Sequence, residues 1–289
     1  ANLLSELAEK SGRILDVEKY KDMAKEMKDR INEKAWDGQW YVRAFDDTGN
    51  VVGSKENQEG KIWLETQTWA VLSGVAEDER AIKCMDSVKK HLDTKYGILL
   101  FQPAFTKYNP SLGYVTVFPP GLKENAAIFC HTNPWAMIAE TIIGRGDVAF
   151  KYYKTILPAA INDKAEIHWT EPYVYSQMIA GRDHRDFGQA KNSWLTGTTA
   201  WNFVAISQYI LGIKPAFDGL IVDPCIPPKW KGFSVKRVFR GTTYNIDVRN
   251  PKNVSKGVSK IILDGKEIKG NVVPVFKDQK EHKVEVIMG

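Results

Sequence analysis

Cysteine is scarce. Cys84, Cys130 and Cys225 are the only three, widely spaced and without a CxxC pair. That excludes a disulfide framework and a zinc knuckle, and the expectation is a reducing compartment, the cytoplasm. No apolar run approaches the ~20 residues a membrane-spanning helix needs, so no membrane partner is expected. Excess charge of one sign is also lacking: Lys+Arg 40 against Asp+Glu 35 leaves +5, with no polybasic block. Nucleic acid and anionic lipid are therefore not expected partners. GxxxxGK[ST], GxGxxG after a strand, HExxH and GxSxG are all missing, which leaves nucleotide, dinucleotide, zincin and α/β-hydrolase chemistry unsupported. No cofactor and no metal is expected.

Aromatic residues, in contrast, are plentiful. Nine Trp, eleven Tyr and twelve Phe make 11% of the chain, a level common where sugar rings are stacked. The opening ANLLSELAEKSG is amphipathic, with no basic segment followed by an apolar one, so it does not read as a signal peptide. It begins in mid-helix pattern on Ala1, which suggests an N-terminus made by processing or truncation.

Residues 1–214 read mostly as helices. Leu3, Leu4 and Leu7, then Tyr20, Met23, Ala24, Met27 and Ile31, recur at three-and-four spacing. Further helices are predicted over 66–74, 78–92, 133–143, 147–156, 173–179 and 198–211. Long aromatic connections bearing Pro and Gly separate them, and such connections are where a site is expected. After Gly212 the period becomes two. Strands are predicted over 219–223, 232–240, 244–249, 259–264 and 283–288, so 215–289 reads as a small antiparallel β-sandwich.

The densest chemistry lies at Phe118-Pro-Pro-Gly-Leu-Lys123-Glu124-Asn125, followed by an apolar stretch to His131. Polar side chains on a tight turn beside a buried segment suit a pocket floor that grips an anion or hydroxyls. The alternative is a capping Asn125 or Glu124 and a satisfied core histidine. Asn192-Ser-Trp-Leu-Thr196-Gly197-Thr-Thr precedes a helix and suits a phosphate cradle, or equally an ordinary cap. Glu171-Pro-Tyr-Val-Tyr175-Ser-Gln177 mixes aromatic platforms with a carboxylate and an amide, as do Glu65 and Gln67; a plain helix start would explain either. Paired carboxylates for glycoside chemistry could come from Glu65, Glu124, Glu140 or Glu171.

Five motifs in order carry a resemblance. Gly53-Ser-Lys-Glu-Asn57, Pro119-Pro-Gly-x-Lys-Glu-Asn125, Cys130-His131-x-Asn133, Glu171-Pro-Tyr-Val-Tyr175 and Lys191-Asn-Ser-Trp-Leu-Thr-Gly197 resemble glycoside hydrolase family 94, the inverting phosphorylases. The likeness runs along essentially the whole chain and looks nearest to the clostridial cellobiose phosphorylases. It implies a mainly α fold: the second half of an (α/α)6 barrel over 1–214, then a jelly-roll-like β-sandwich over 215–289. It also implies phosphorolysis of a β-linked, cellobiose-like disaccharide to α-glucose 1-phosphate and a free sugar. Phosphate is then a substrate, and the resemblance gives it His131, Gln177, Thr196 and the Gly197 backbone. It gives the sugar Lys123 and places Tyr114 and Phe118 at the acceptor, and it leads one to expect a homodimer; Gln67 and Glu171 are expected to bind sugar from their residue types alone.

The chain departs from the family pattern twice. The family's general-acid Asp sits in a Trp-Asn-Asp segment that this sequence lacks. The chain is therefore expected to hold no catalytic residue of its own and to be inactive alone. It would need the N-terminal remainder, joined covalently or as a second chain. Cellobiose phosphorylases also resemble one another in a Gly-Glu-Ile-Ser-Thr-Tyr run before the Pro-Pro-Gly; here it reads Gly113-Tyr-Val-Thr-Val-Phe118. Tyr114 replaces a carboxylate and Phe118 lacks a hydroxyl, so hydrogen bonds to an acceptor sugar are lost. A laminaribiose, chitobiose or cellobionate-type substrate is the alternative. Others are a non-catalytic carbohydrate-binding fragment and a hydrolytic glycosidase on the same barrel.

Overall fold

Helices and strands share the chain, which a computed structural model describes from residue 1 to 289. The expectation of a mainly α protein is corrected in that respect. α1 (Asn2–Lys10) and α2 (Ile14–Lys34) pack as a pair. α3 (Leu64–Leu72), α4 (Asp78–His91), α5 (Asn133–Ile142) and α6 (Gly146–Ile156) follow, α3 against α4 and α5, and α5 against α6. α7 (Ala165–His168) is one turn long, and α8 (Thr198–Val204) runs on into a π-helical stretch, Ala205–Ile210. These helices do not close a barrel. Leu3, Leu7, Leu15, Met23 and Met27 keep their helical period but stay exposed, so the α1–α2 pair presents an apolar face instead of burying it.

The helix predicted over 173–179 is instead an extended segment ending in the strand Ser176–Ile179. Val174, Ser176 and Met178 are buried and alternate with more exposed neighbours, a period of two that places them in a sheet. That strand lies between Ile128–Phe129 and Ala190–Ser193 in a three-stranded antiparallel sheet.

The C-terminal strands form two sheets. Ile213–Pro215, Gly219–Val222 and Val272–Pro274 make a three-stranded sheet. Gly232–Phe239, Thr242–Arg249, Glu281–Met288, Val258–Leu263 and Lys266–Ile268 make, in that spatial order, a five-stranded one. Leu220, Val222 and Val273 from the first meet Tyr244, Ile246, Val284 and Val286 from the second in one buried cluster. A purely antiparallel arrangement is not what forms, because Thr242–Arg249 and Glu281–Met288 pair in parallel. Ala149 and Ile210 join the same cluster, so the sandwich core is continuous with the helical part. The two parts approach closely at Gly146, where a Cβ would stand 2.5 Å from the Ile226 carbonyl oxygen. A separate apolar cluster of Trp63, Phe101, Phe105, Ala126, Ala127, Phe129 and Met178 lies under the three-stranded sheet of residues 128–193.

Candidate functional site

The small sheet of residues 128–193 gathers the polar groups. In Ser176–Ile179, Met178 turns into the apolar cluster, and the two-residue period puts Gln177 on the other face. The Gln177 side-chain oxygen accepts from Lys123 Nζ at 2.8 Å and from Asn192 Nδ2 at 3.3 Å. Lys123 reaches it from a left-handed backbone position (φ +51°), where its own N–H points at the Met178 sulfur, 2.9 Å away. The Pro-Pro-Gly turn ahead of it needs glycine at Gly121: φ is +77°, and a Cβ would lie 2.7 Å from the His184 nitrogen. Asn125 is fully buried and trades two hydrogen bonds with the Phe105 backbone, so it serves the turn and not a ligand.

His131 leaves the strand Ile128–Phe129 on a 3-10 turn, Cys130–Thr132, that packs against α8. Its half-buried ring stands edge-on to Phe129 and Trp135, with centroids 5.1 and 5.5 Å away. Burial alone lowers its pKa from the ordinary value, which favours a neutral imidazole. The turn before α8 has Asn192 and Trp194 in left-handed backbone, at +55° and +70°. Thr196 Oγ1 accepts the Thr198 N–H at 3.1 Å and lies 2.5 Å from the Thr198 hydroxyl. The N-cap position itself is Gly197, without a side-chain cap, and Thr196 bonds the first helical N–H from just before it. Gly197 faces open space, with nothing within 4 Å of where a Cβ would stand. The strand pairing, the Lys123–Gln177 bond and the packing of the His131 turn on α8 set the segments that carry Lys123, His131, Gln177 and the 192–197 turn side by side.

A cleft of about 710 Å³ adjoins this region at Glu124, the residue after Lys123. Arg43, Trp63, Glu65, Tyr114 and Phe118 also line it. Tyr114 is 78% exposed, and its ring meets Phe118 edge-on at 6.0 Å. The Arg43 guanidinium lies over the Trp63 ring at 5.4 Å and 3.5 Å from Glu65 Oε1. Glu65 Oε2 is buried with no partner, and burial raises the carboxyl pKa against the opposing pull of Arg43. A buried, unpartnered carboxylate oxygen lining a cleft suits a hydroxyl or amide donor of a ligand.

Two of the expected sugar-binding residues do something else. Gln67 is completely buried, and its amide is spent on the Tyr41 backbone and the Trp63 carbonyl. It has nothing left to offer a sugar. The Glu171 oxygens are occupied by the Trp194 indole N–H at 3.0 Å and the Thr170 hydroxyl at 2.8 Å. Its own backbone N–H, with those two donors, lowers the carboxyl pKa to about 2. Glu171 thus stands at the 192–197 turn and is absent from the cleft lining. Arg43 was not singled out by sequence reasoning. Its one local signal is Gly53, where φ is +89° and a Cβ would stand 2.6 Å from the Arg43 backbone nitrogen.

Residues 2–212 match the family model described as the glycosyl hydrolase 94 superfamily, catalytic domain. The chain is 46% identical over 286 residues to N,N'-diacetylchitobiose phosphorylase of Vibrio proteolyticus, covering 98% of this chain and 36% of that protein. It is 42% identical over 267 residues to solabiose phosphorylase of Paenibacillus borealis, covering 92% and 35%. With cellobionic acid phosphorylase of Neurospora crassa the identity is 32% over 256 residues, covering 84% and 32%. The chain thus spans about a third of the length of these three relatives. Among solved structures, a sialidase superposes with a TM-score of 0.56 at 13% identity, over 82% of this chain and 21% of that one, a likeness of fold alone.

Proposed function

The chain belongs to the glycosyl hydrolase 94 superfamily, and from that premise we propose that it is the phosphate-side, C-terminal portion of an inverting disaccharide phosphorylase. The convergence of His131, Gln177, Thr196 and Gly197 carries this reading. A phosphate dianion needs N–H and O–H donors, and a neutral imidazole, an amide and a hydroxyl beside an open glycine backbone supply them. Bound there, a phosphate oxygen attacks the anomeric carbon as the bond to the leaving sugar oxygen breaks. The leaving oxygen takes a proton from an acid contributed by the rest of the polypeptide. Phosphate arriving at His131 also favours its protonated form, so binding draws a proton onto the ring.

The cleft is the acceptor side of the reading. Its lining sets the rings of Tyr114, Phe118 and Trp63 beside Arg43 and Glu65, which suits a sugar whose substituent carries both an apolar methyl group and an amide N–H. An acetamido sugar meets that description, and the names of the chitobiose-phosphorylase relatives agree with it. The substrate proposed is therefore a β-linked disaccharide with an N-acetylglucosamine acceptor; a cellobiose-like substrate is the competing outcome. The test is a phosphorylase-length polypeptide containing this chain, supplied with a sugar 1-phosphate and a panel of acceptors. Phosphate release with N-acetylglucosamine supports the reading. Release with no acceptor in the panel refutes phosphorolysis, and preference for glucose refutes the acceptor assignment alone.

A further inference from the structure

We propose that Glu171 is a positioning residue: through Trp194 it holds the 192–197 turn in the shape that presents Thr196. The inference rests on the reading of Thr196 and Gly197 as phosphate ligands and assigns Glu171 a part in that site.

Trp194 is an unusual residue to find where it is. Its backbone is left-handed at φ +70°, a strained conformation for a bulky side chain. Its side chain is 66% exposed, so hydrophobic burial does little to fix it. Asn192 is also left-handed, leaving Ser193 between two such residues at the end of its strand. Some other interaction must hold this backbone in place.

That interaction comes from the segment 171–175. The Glu171 carboxylate accepts the Trp194 indole N–H at 3.0 Å. The Tyr173 ring meets the indole edge-on at 6.2 Å and 71°. The Tyr175 carbonyl accepts the Trp194 backbone N–H at 3.3 Å. Only the first involves an ionised group, and a charge-assisted hydrogen bond is the strongest of the three kinds. Trp194 then passes the constraint on: its carbonyl accepts the Thr196 N–H at 3.0 Å, and Thr196 Oγ1 accepts the Thr198 N–H at 3.1 Å. The chain of contacts runs from Glu171 to Trp194 to Thr196. The Glu171 carboxyl titrates near 2, so the tie is in force throughout the neutral range.

The experiment uses the phosphorylase-length polypeptide that contains this chain and reads the turn separately from the ligand. The Trp194 indole N–H resonance, assigned with Trp194→Phe, should move on Glu171→Ala, and exchange of the Thr196 and Thr198 amide hydrogens should speed up about tenfold. Glu171→Gln keeps an acceptor oxygen and should recover most of that protection. Titration with inorganic phosphate, followed at the His131 ring, should show an about tenfold weaker affinity in Glu171→Ala and near-normal affinity in Glu171→Gln. Unchanged exchange at Thr196 in Glu171→Ala overturns the proposal, as does faster exchange with unchanged phosphate affinity. A wild-type chain that ignores phosphate while Glu171→Ala still loosens the turn refutes the phosphate reading and leaves the Glu171–Trp194 tie standing.

Discussion

Tyr41 and Gln67 exchange two hydrogen bonds: the Tyr41 N–H donates to the Gln67 side-chain oxygen at 2.9 Å, and the Gln67 amide nitrogen donates to the Tyr41 carbonyl at 2.8 Å. A helical side chain thereby satisfies both backbone polar groups of Tyr41, which meets Trp36 in a single antiparallel bridge outside any strand. Gln67→Leu should cost ~2–4 kcal/mol in urea unfolding, since it strands a buried N–H and C=O together. Saccharide binding by the folded fraction should be unchanged, and a selective loss of sugar binding would restore Gln67 to the site.

Glu140 is fully buried on α5, with both carboxyl oxygens unpartnered. Arg145 is 4.0 Å away but is already engaged by Asp86 at 2.5 Å. Burial raises the Glu140 carboxyl pKa from 4.5 to about 7. The folded state therefore keeps this proton to higher pH than the unfolded state, and stability falls as pH rises from 4.5 to 7. Glu140→Gln should match the wild type near pH 4.5 and exceed it by roughly 3 kcal/mol above pH 7. Urea midpoints at pH 4.5 and 8 test this; the same difference at both would refute it.

His282 works in the opposite direction. Its Nδ1 lies 2.6 Å from Asp264 and its Nε2 3.1 Å from Asp278, with the ring stacked on Phe276 at 4.0 Å. The bond to Asp264 does most to raise its pKa, desolvation opposes it, and the bond to Asp278 adds to the rise. A raised histidine pKa gives stability that is fully present below the unfolded value near 6.5 and lost as pH rises through the folded value. The Tm gap between wild type and His282→Gln should be widest below pH 6.5 and close at alkaline pH. A gap that widens with rising pH would contradict the charged pairing.

Tyr114 and Phe118 set the acceptor side of the cleft under the proposed reading. Tyr114→Glu combined with Phe118→Tyr returns a carboxylate and a hydroxyl to positions that line it. The ratio of kcat/KM for glucose over N-acetylglucosamine, measured on the phosphorylase-length polypeptide, should rise about tenfold or more. An unchanged ratio would remove both residues from the specificity argument.

Periodicity made the C-terminal strands legible because an alternating pattern survives whichever sheet a strand joins. It failed at Tyr173–Ile179, where a short run of aromatic and β-branched residues fits a helix or a strand, and only the neighbours at 128–129 and 190–193 decide between them. The parallel pairing of Thr242–Arg249 with Glu281–Met288 was also invisible, since alternation carries no strand direction. For the site, Lys123, His131, Gln177 and Thr196 stand out by residue type in dense motifs. Arg43 and Glu65 meet across a wide gap in the chain and form no motif.

By itself the sequence determined the family, through five motifs in order along the chain, and the change of period near residue 214. The tertiary structure decided which polar residues are free to act. Gln67, Asn125, Glu171 and Gln177 look alike as candidates in a string of letters. Folding spends the first two on buried backbone groups, ties the third to Trp194 and leaves Gln177 beside Lys123. A hydrogen-bonding group has a limited number of partners, and only three-dimensional proximity shows which of them are already taken.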